Sequence, residues 1–147
     1  MTMIEAIPLP STDDPLDAPY WDAARRGELV VQTCRACNQR RFPPRPMCPT
    51  CQSFEHVWAP LSGKGRIWSF VFPHPPLLPV FAQIAPYNVI IVELADDPSI
   101  RMVGNLVTAA DGPINQVDPT TIKIGTPVQV VFHRVDDDVT LARWVVA

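Results

Sequence analysis

Apolar and polar side chains alternate with a period of two through the second half of the chain, the pattern of half-buried β-strands. The alternation predicts strands over residues 66–72, 87–94 and 100–107, and a final pair over residues 127–135 and 139–145. A glycine-marked first strand and a late hairpin, within fewer than 100 residues, predict a small antiparallel OB-fold barrel. The fold is therefore expected to be mainly β.

The first part of the chain has a different pattern. Residues 1–18 are rich in Pro, Asp, Ser and Thr and predict an extended arm. Residues 19–27 predict a short helix, because Pro19 suits a first helical turn and Gly27 a C-terminal stop. A strand is expected over residues 29–33. The predicted domains are an arm and helix at 1–28, a ribbon at 29–55 and an OB-fold at 56–147.

Four cysteines form two Cys-x-x-Cys pairs, at Cys34 and Cys37 and at Cys48 and Cys51. Each pair turns two thiolates toward one point, so two pairs at this spacing predict a four-ligand metal cage. Tetrahedral Zn²⁺ would then have no open coordination position, which indicates a structural site and not a catalytic one. Iron in a rubredoxin-like cage is the nearest alternative, and two disulfides are another, requiring an oxidising compartment.

The compartment expected from the sequence favours zinc over disulfides. The N-terminal residues 1–5 lack the basic and apolar regions of a secretory signal, and no apolar run approaches the roughly 20 residues that span a bilayer. The expected setting is therefore the reducing cytoplasm, without a membrane.

Proline accounts for 18 of the 147 residues, far above the usual fraction of about 5%, which predicts stiff loops and few long helices.

The positive charge is concentrated around the cysteines. Four arginines and no acidic residue lie between residues 34 and 51, in a chain of net charge −3. One interpretation is that these cations stabilise the thiolates. The other is a phosphate-binding patch, since the guanidinium fork matches phosphate oxygens; its members would be Arg40, Arg41 and Arg45.

A long apolar loop over residues 73–86 interrupts the predicted barrel. It holds five prolines and no charged side chain, although loops are normally polar. Such a loop either covers an open end of the barrel or docks on a partner or an acyl ligand. Its stiffness favours docking, because a rigid segment loses less entropy on binding. The predicted contact residues are His74, Pro76, Leu77, Leu78, Phe81 and Tyr87.

No catalytic constellation is visible. His56 and His133 alternate with apolar positions and are expected on the surface of the protein. His74 is the single secondary candidate, because a histidine within an apolar loop could act as a general acid or base in a partner's site. Packing within the loop is the simpler interpretation of His74.

Several motifs together resemble a known family. They are Trp-x-Ala-x-x-x-Gly-x-Leu at residues 21–29, the two cysteine pairs, Phe-Pro-Pro-Arg at 42–45, and Ser-Gly-x-Gly-x-Ile-x-Ser-Phe at 62–70. The chain resembles the acyl-CoA-associated OB-fold family with an N-terminal rubredoxin-like zinc ribbon, also known as the domain-of-unknown-function thirty-five family. The segment around Pro-His-Pro-Pro-Leu-Leu-Pro is most similar to its steroid side-chain branch.

The resemblance implies an accessory subunit. Members resemble proteins that bind and stabilise thiolase-like enzymes acting on CoA thioesters, including a retro-aldolase of steroid side-chain degradation. It implies structural zinc, a hetero-oligomer with a thiolase-like acyl-CoA lyase or acyltransferase, and a share in the acyl-CoA site. The chain itself would be non-catalytic, and the three arginines would contact CoA phosphates.

Nucleic-acid binding is the alternative function, because zinc ribbons and OB-folds both serve it. Four tryptophans could stack on bases. The acidic net charge and the uncharged loop disfavour this alternative, which predicts binding with a steep salt dependence.

Overall fold

The computed structural model describes residues 7–147. The first six residues of the predicted arm, including those read for a secretory signal, lie outside the described residues. Helix α1 spans Ala18–Arg25, with proline in its first turn. Gly27 follows with φ of 75°, a left-handed conformation that suits glycine and ends the helix. Ala23 and Ala24 are buried, so the helix packs one small-residue face against the strands.

A three-stranded antiparallel sheet follows the helix. Its strands are β1 (Val30–Cys34), β2 (Arg40–Arg41) and β3 (His56–Pro60), in the order β2-β1-β3. Cys34 ends β1, and the residues between β1 and β3 carry the other three cysteines. The register places Cys34 opposite His56, so β3 extends the ribbon sheet although the sequence grouped residues 56–60 with the OB-fold. The boundary between the ribbon and the OB-fold at residue 55 remains a prediction from the sequence.

The second sheet has five antiparallel strands in the order β6-β5-β4-β7-β8. They are β4 (Lys64–Val71), β5 (Val89–Leu94), β6 (Arg101–Gly104), β7 (Pro127–Arg134) and β8 (Thr140–Val146). A parallel bridge between Leu106 and Trp144 joins the two edges of the sheet and curls it toward a barrel. The expected mainly β fold, a cysteine ribbon followed by an OB-fold, is confirmed.

The barrel interior holds the alternating apolar positions that predicted the strands. In β5, Ile90, Val92 and Leu94 are buried while the residues between them are only partly covered. Trp144 is 1% exposed and packs in the same cluster. The period-two pattern therefore marks the two faces of the sheet.

The connections differ in detail from the sequence expectation. The apolar loop contains a short helix, α2 (Pro79–Ala82), and a 3-10 turn spans Pro119–Thr121 between β6 and β7. Strand β2 has only two residues, too few to produce an alternation in the sequence. In the described part of the chain, no helix is long and apolar enough to cross a membrane.

Candidate metal centre and partner surface

The structure brings the four predicted cysteines into one cluster. Their sulfur atoms all lie within 4.8 Å of one another. Cys34 Sγ is 3.5 Å from Cys51 Sγ, and Cys37 Sγ is 3.6 Å from Cys48 Sγ. A disulfide would require about 2.05 Å, whereas four ligands at about 2.3 Å from a tetrahedral zinc ion lie about 3.8 Å apart. The cluster therefore has the dimensions of a four-thiolate metal site.

The two Cys-x-x-Cys segments, here called knuckles, are built by the same backbone turn. Asn38 and Gln52 adopt positive φ angles of 61° and 63°. Each donates its N–H to the carbonyl of the first cysteine in its pair, Cys34 or Cys48, at 2.9 Å. Asparagine tolerates this left-handed conformation better than most residues, and the turn leaves further N–H groups pointing at the sulfur atoms.

These N–H groups prepare the thiols for a cation. A hydrogen bond from the backbone of Cys37 is the main cause that lowers the pKa of Cys34. The equivalent bond from Cys51 lowers the pKa of Cys48 to about 6. Thiolates are the metal-binding form, so these hydrogen bonds favour the ligand form of Cys34 and Cys48.

The three predicted phosphate contacts have different surroundings. Arg41 is only 6% exposed, and its Nε and Nη2 atoms donate to the carbonyl of Arg45 at 3.3 and 3.0 Å. The Arg45 N–H in turn donates to buried Gln32 Oε1 at 2.8 Å. Arg41 thus holds in place the connector, which is the segment between Cys37 and Cys48 that joins the two knuckles. The side chain of Arg45 is exposed.

Arg40 links the ribbon to the barrel. Its Nη1 atom donates to the backbone carbonyl of Asp96 at 3.0 Å. The Asp96 carboxylate accepts hydrogen bonds from the hydroxyl and N–H of Ser62. These bonds, with a smaller contribution from Arg40, lower the pKa of Asp96. Arg40 therefore uses one of its N–H groups for a hydrogen bond within the protein.

The apolar loop presents large side chains to solvent. Leu78 is 61% exposed, while Leu77, Phe81 and Tyr87 are partly covered. The rings of Phe81 and Tyr87 pack together with centroids 5.7 Å apart. Leu77 and Leu78 precede α2, Phe81 lies within it, and Tyr87 follows it, so the loop carries apolar side chains on both sides of the helix in the sequence.

His74 and Pro76 lie on the exposed rim of this loop. The Nδ1 atom of His74 is 2.7 Å from the carbonyl of Phe72. A carbonyl only accepts, so Nδ1 carries the proton and Nε2 of the neutral ring is free to accept one.

Two buried residues that the sequence analysis missed anchor the loop. Ile84 is 7% exposed, and its carbonyl accepts from Asn115 Nδ2 at 3.1 Å. Asn88, 2% exposed, bonds through its side chain to the backbone of Leu106 and Ile114. A single asparagine before a strand resembles an ordinary turn residue, so only its burial identifies the role.

The outer face of β4 and β6 also carries exposed apolar side chains. Val71 and Val103 are 58% and 70% exposed. Trp68, 42% exposed, carries the Arg101 guanidinium over its ring at 3.9 Å. Val71 is the last residue of β4, two positions before the loop begins.

His56 and His133, both expected on the surface, are partly exposed. His56 lies 3.4 Å from Gln32 in the ribbon sheet. His133 does lie on the outer face of β7, as its alternation with the core residue Phe132 predicts. His133 lines a pocket together with residues 111–115 of the segment that follows β6.

A four-cysteine ribbon followed by a five-stranded OB-type sheet defines the class of zinc-ribbon OB-fold proteins. Residues 21–57 match the family model for the ChsH2 rubredoxin-like zinc ribbon domain, and residues 58–133 match that for the ChsH2 C-terminal OB-fold domain. The chain belongs to this ChsH2-type family, the DUF35 family.

Similar proteins include subunits of larger enzymes. The chain is 37% identical over 126 residues to a probable enoyl-CoA hydratase alpha subunit from Thermomonospora curvata, covering 85% of this chain and 36% of the relative. It is 31% identical over 113 residues to the 3-oxo-4,17-pregnadiene-20-carboxyl-CoA hydratase alpha subunit of Mycobacterium tuberculosis, covering 77% and 32%. The chain thus spans about a third of the length of these relatives.

A solved structure is similar over the whole fold. The structure described as the Ltp2-ChsH2(DUF35) aldolase superposes with a TM-score of 0.77 at 33% identity, covering 93% of this chain and 98% of that one. The chain is therefore similar to a subunit of a hetero-oligomeric aldolase.

Proposed function

We propose that the chain is an accessory subunit of an acyl-CoA-processing complex. In this proposal it binds and stabilises a thiolase-like partner and helps to form that partner's acyl-CoA site. The observation that carries the proposal is the exposed apolar surface of the loop at residues 73–86, on a fold similar to the aldolase subunit. An exposed apolar surface of this kind usually marks a binding site for another molecule.

The chemistry assigned to the complex is cleavage of a β-hydroxyacyl-CoA side chain, in steroid or sterol degradation. Support comes from the aldolase named in the similar structure and from the pregnadiene-carboxyl-CoA substrate in the name of the mycobacterial relative. The chain would supply a wall of the site and no reacting group. His74 is the exception to test, since its free Nε2 lies on the exposed rim of the loop.

The metal in this proposal is structural Zn²⁺, held by the four cysteines. The dimensions of the sulfur cluster and the N–H groups around it fit a tetrahedral four-thiolate ion. When bound, the ion cross-links β1 to the second knuckle and closes the ribbon. Elemental analysis of purified protein tests this: about one zinc per chain is expected, while iron would give a coloured protein.

Arg45, with Arg40 beside it, is proposed to contact CoA phosphates. The exposed guanidinium of Arg45 is free to form the bidentate contact that phosphate favours. Arg41 is buried against the Arg45 carbonyl, so its contribution would be to position its neighbour. Replacing Arg45 by Gln should raise the KM of the complex for acyl-CoA and leave the assembly intact.

The partner surface is tested by one substitution and a matched control. Leu78→Asp places a charge at the centre of the loop surface, and Val146→Asp does so at a side chain of almost equal exposure, 61% against 59%. Val146 pairs with Val128 opposite Gly65, six residues before the loop departs from Val71. At about 3.3 Å per residue, Gly65 lies roughly 20 Å along β4 from Val71, the last strand residue before the loop.

Each tagged variant is expressed in the native host, and co-eluting proteins are identified by mass spectrometry. A thiolase-like protein should co-elute with the wild type and with Val146→Asp, and be lost with Leu78→Asp. Co-elution of the same partner with Leu78→Asp would contradict the proposed surface. Co-elution of a nucleic-acid-processing complex in its place would contradict the proposed function.

His74→Gln measures the contribution of this residue to chemistry. Gln retains a polar side chain but cannot exchange a proton near neutral pH. If the chain is non-catalytic, the assembled complex turns over its substrate as fast as the wild type. A drop in turnover by a factor of about 100 or more, the smallest effect usual for a lost acid or base, would assign His74 to the reaction.

A further inference from the structure

A pocket of about 360 Å³ lies on the outer side of the β7–β8 hairpin and shares no residue with the cysteine cluster. Its volume falls at the lower end of the range for small-molecule sites. Apolar walls come from the N-terminal arm through Ile7, from the loop through Ile84, and from the segment after β6 through Pro113 and Ile114. The polar lining consists of Asp111, Asn115, His133 and Arg143.

Arg143 is a fixed cation in this pocket and forms no ion pair there. Its Nη1 atom donates to the carbonyls of Ala110 and Gly112 at 3.2 and 2.6 Å, which holds the half-buried side chain in place. Its Nε atom is covered and has no partner among residues 7–147. No carboxylate of these residues lies within the 4.0 Å of an ion pair with it. Asp111 acts on Arg143 through its charge without forming an ion pair with it. A half-buried guanidinium that lacks an ion pair favours an anionic ligand.

His133 adds a neutral polar group beside this cation. Burial lowers the pKa of His133, and the positive charge of Arg143 lowers it further. The ring is therefore uncharged at neutral pH, with one N–H donor and one acceptor nitrogen. Its Nδ1 atom is covered and has no partner in the described residues. Asp111, exposed on the pocket rim, is the one acidic residue of the lining.

We infer that this pocket binds a small aliphatic monocarboxylate, its carboxylate on Arg143 and its chain against Ile84 and Ile114. The planar guanidinium matches a carboxylate, and the apolar walls match an alkyl chain. A phosphate group lacks the apolar part and would bring more charge toward Asp111. The inference does not depend on the proposed partner, because every residue that carries it belongs to this chain.

The experiment is an NMR titration of the full, metal-loaded chain with three probes. Hexanoate carries both predicted features, hexan-1-ol carries the alkyl chain alone, and inorganic phosphate carries the charge alone. Hexanoate should shift the resonances of Ile84, Ile114 and His133, with a Kd in the millimolar range or tighter, and the other two should bind at least about tenfold more weakly. Equal binding of hexan-1-ol, stronger binding of phosphate, or no binding by hexanoate would overturn the inference.

Two variants assign the charge. Arg143→Met should weaken hexanoate binding at least about tenfold and leave hexan-1-ol unchanged. This variant also removes the hydrogen bonds to Ala110 and Gly112, so Asp111→Asn provides a second test on an exposed side chain. Removing that negative charge should tighten hexanoate about twofold to fivefold without affecting hexan-1-ol. Unchanged hexanoate affinity in Asp111→Asn, or in a folded Arg143→Met, would refute the placement of the carboxylate.

Discussion

Replacing Asn88 by Ala should be among the most destabilising substitutions outside the apolar core. The side chain precedes β5 and forms three hydrogen bonds to buried backbone. Its Oδ1 atom accepts from the Leu106 N–H at 2.6 Å. Its Nδ2 atom donates to the carbonyls of Leu106 and Ile114 at 2.8 and 3.0 Å. Asn88 therefore joins the end of the apolar loop to the segment that leaves β6.

The magnitude follows from the groups that lose their partner. Leu106 is 2% exposed, so its N–H and carbonyl would lose these bonds inside the protein. The Ile114 carbonyl keeps a bond from the backbone N–H of residue 88, at 3.2 Å. Two unsatisfied groups at about 1–3 kcal/mol each, partly relieved by water entering the vacated space, give a loss of about 3 kcal/mol. For a chain of this size the melting temperature should fall by about 6–12 °C.

Thermal and urea unfolding followed by circular dichroism measure this difference. Asn115→Ala is the matched control, because its exposed side chain makes one described hydrogen bond, to the Ile84 carbonyl at 3.1 Å. That substitution should cost less than about 1 kcal/mol. If Asn88→Ala stays within about 1 kcal/mol of wild type, or matches the control, the assigned role of the network is refuted.

Three further predictions concern the ribbon and the turns. Cys48→Ser should leave three thiolates, abolish stoichiometric metal binding and lower the melting temperature; unchanged metal content would contradict the cage. Gly63→Ala should cost at least about 2 kcal/mol more than Gly27→Ala: both have positive φ, but only at Gly63 would a Cβ meet a side chain, at 2.4 Å. Arg41→Lys should cost about 1–2 kcal/mol in urea unfolding because lysine lacks the fork that holds the connector; equal stability would refute that role.

The features predicted from the sequence are those with a local signature. Cysteine spacing is local, and the two similar knuckle turns explain why Cys-x-x-Cys is sufficient to place both pairs. The alternation in β5 follows directly from the burial of Ile90, Val92 and Leu94 on one face. Strand ends were less well predicted, as with the strand expected over residues 100–107 and found at Arg101–Gly104, because pairing and not composition ends a strand.

The features that the sequence could not predict depend on contacts between distant segments. Arg41 and Arg45 are equivalent in a charge count, yet one is buried against the carbonyl of the other. His133 has the alternation of a surface residue, yet it lines a pocket with residues 111–115 from another connection. Asn88 forms hydrogen bonds to Leu106 and Ile114, which lie 18 and 26 positions further along the chain. No pattern within a short window carries this information.

The anchors of the loop explain how its apolar surface can exist before a partner binds. The buried residues Ile84 and Asn88 anchor the loop to the rest of the protein. Leu78, in contrast, is 61% exposed and contributes little to the core. Leu78→Asp should therefore change the free energy of unfolding by less than about 0.5 kcal/mol, the range of ordinary surface substitutions. Loss of the partner without loss of stability would then report on the surface itself. If Leu78→Asp unfolds the chain, the side chain belongs to the structure of the loop, and the surface must be assigned to other residues.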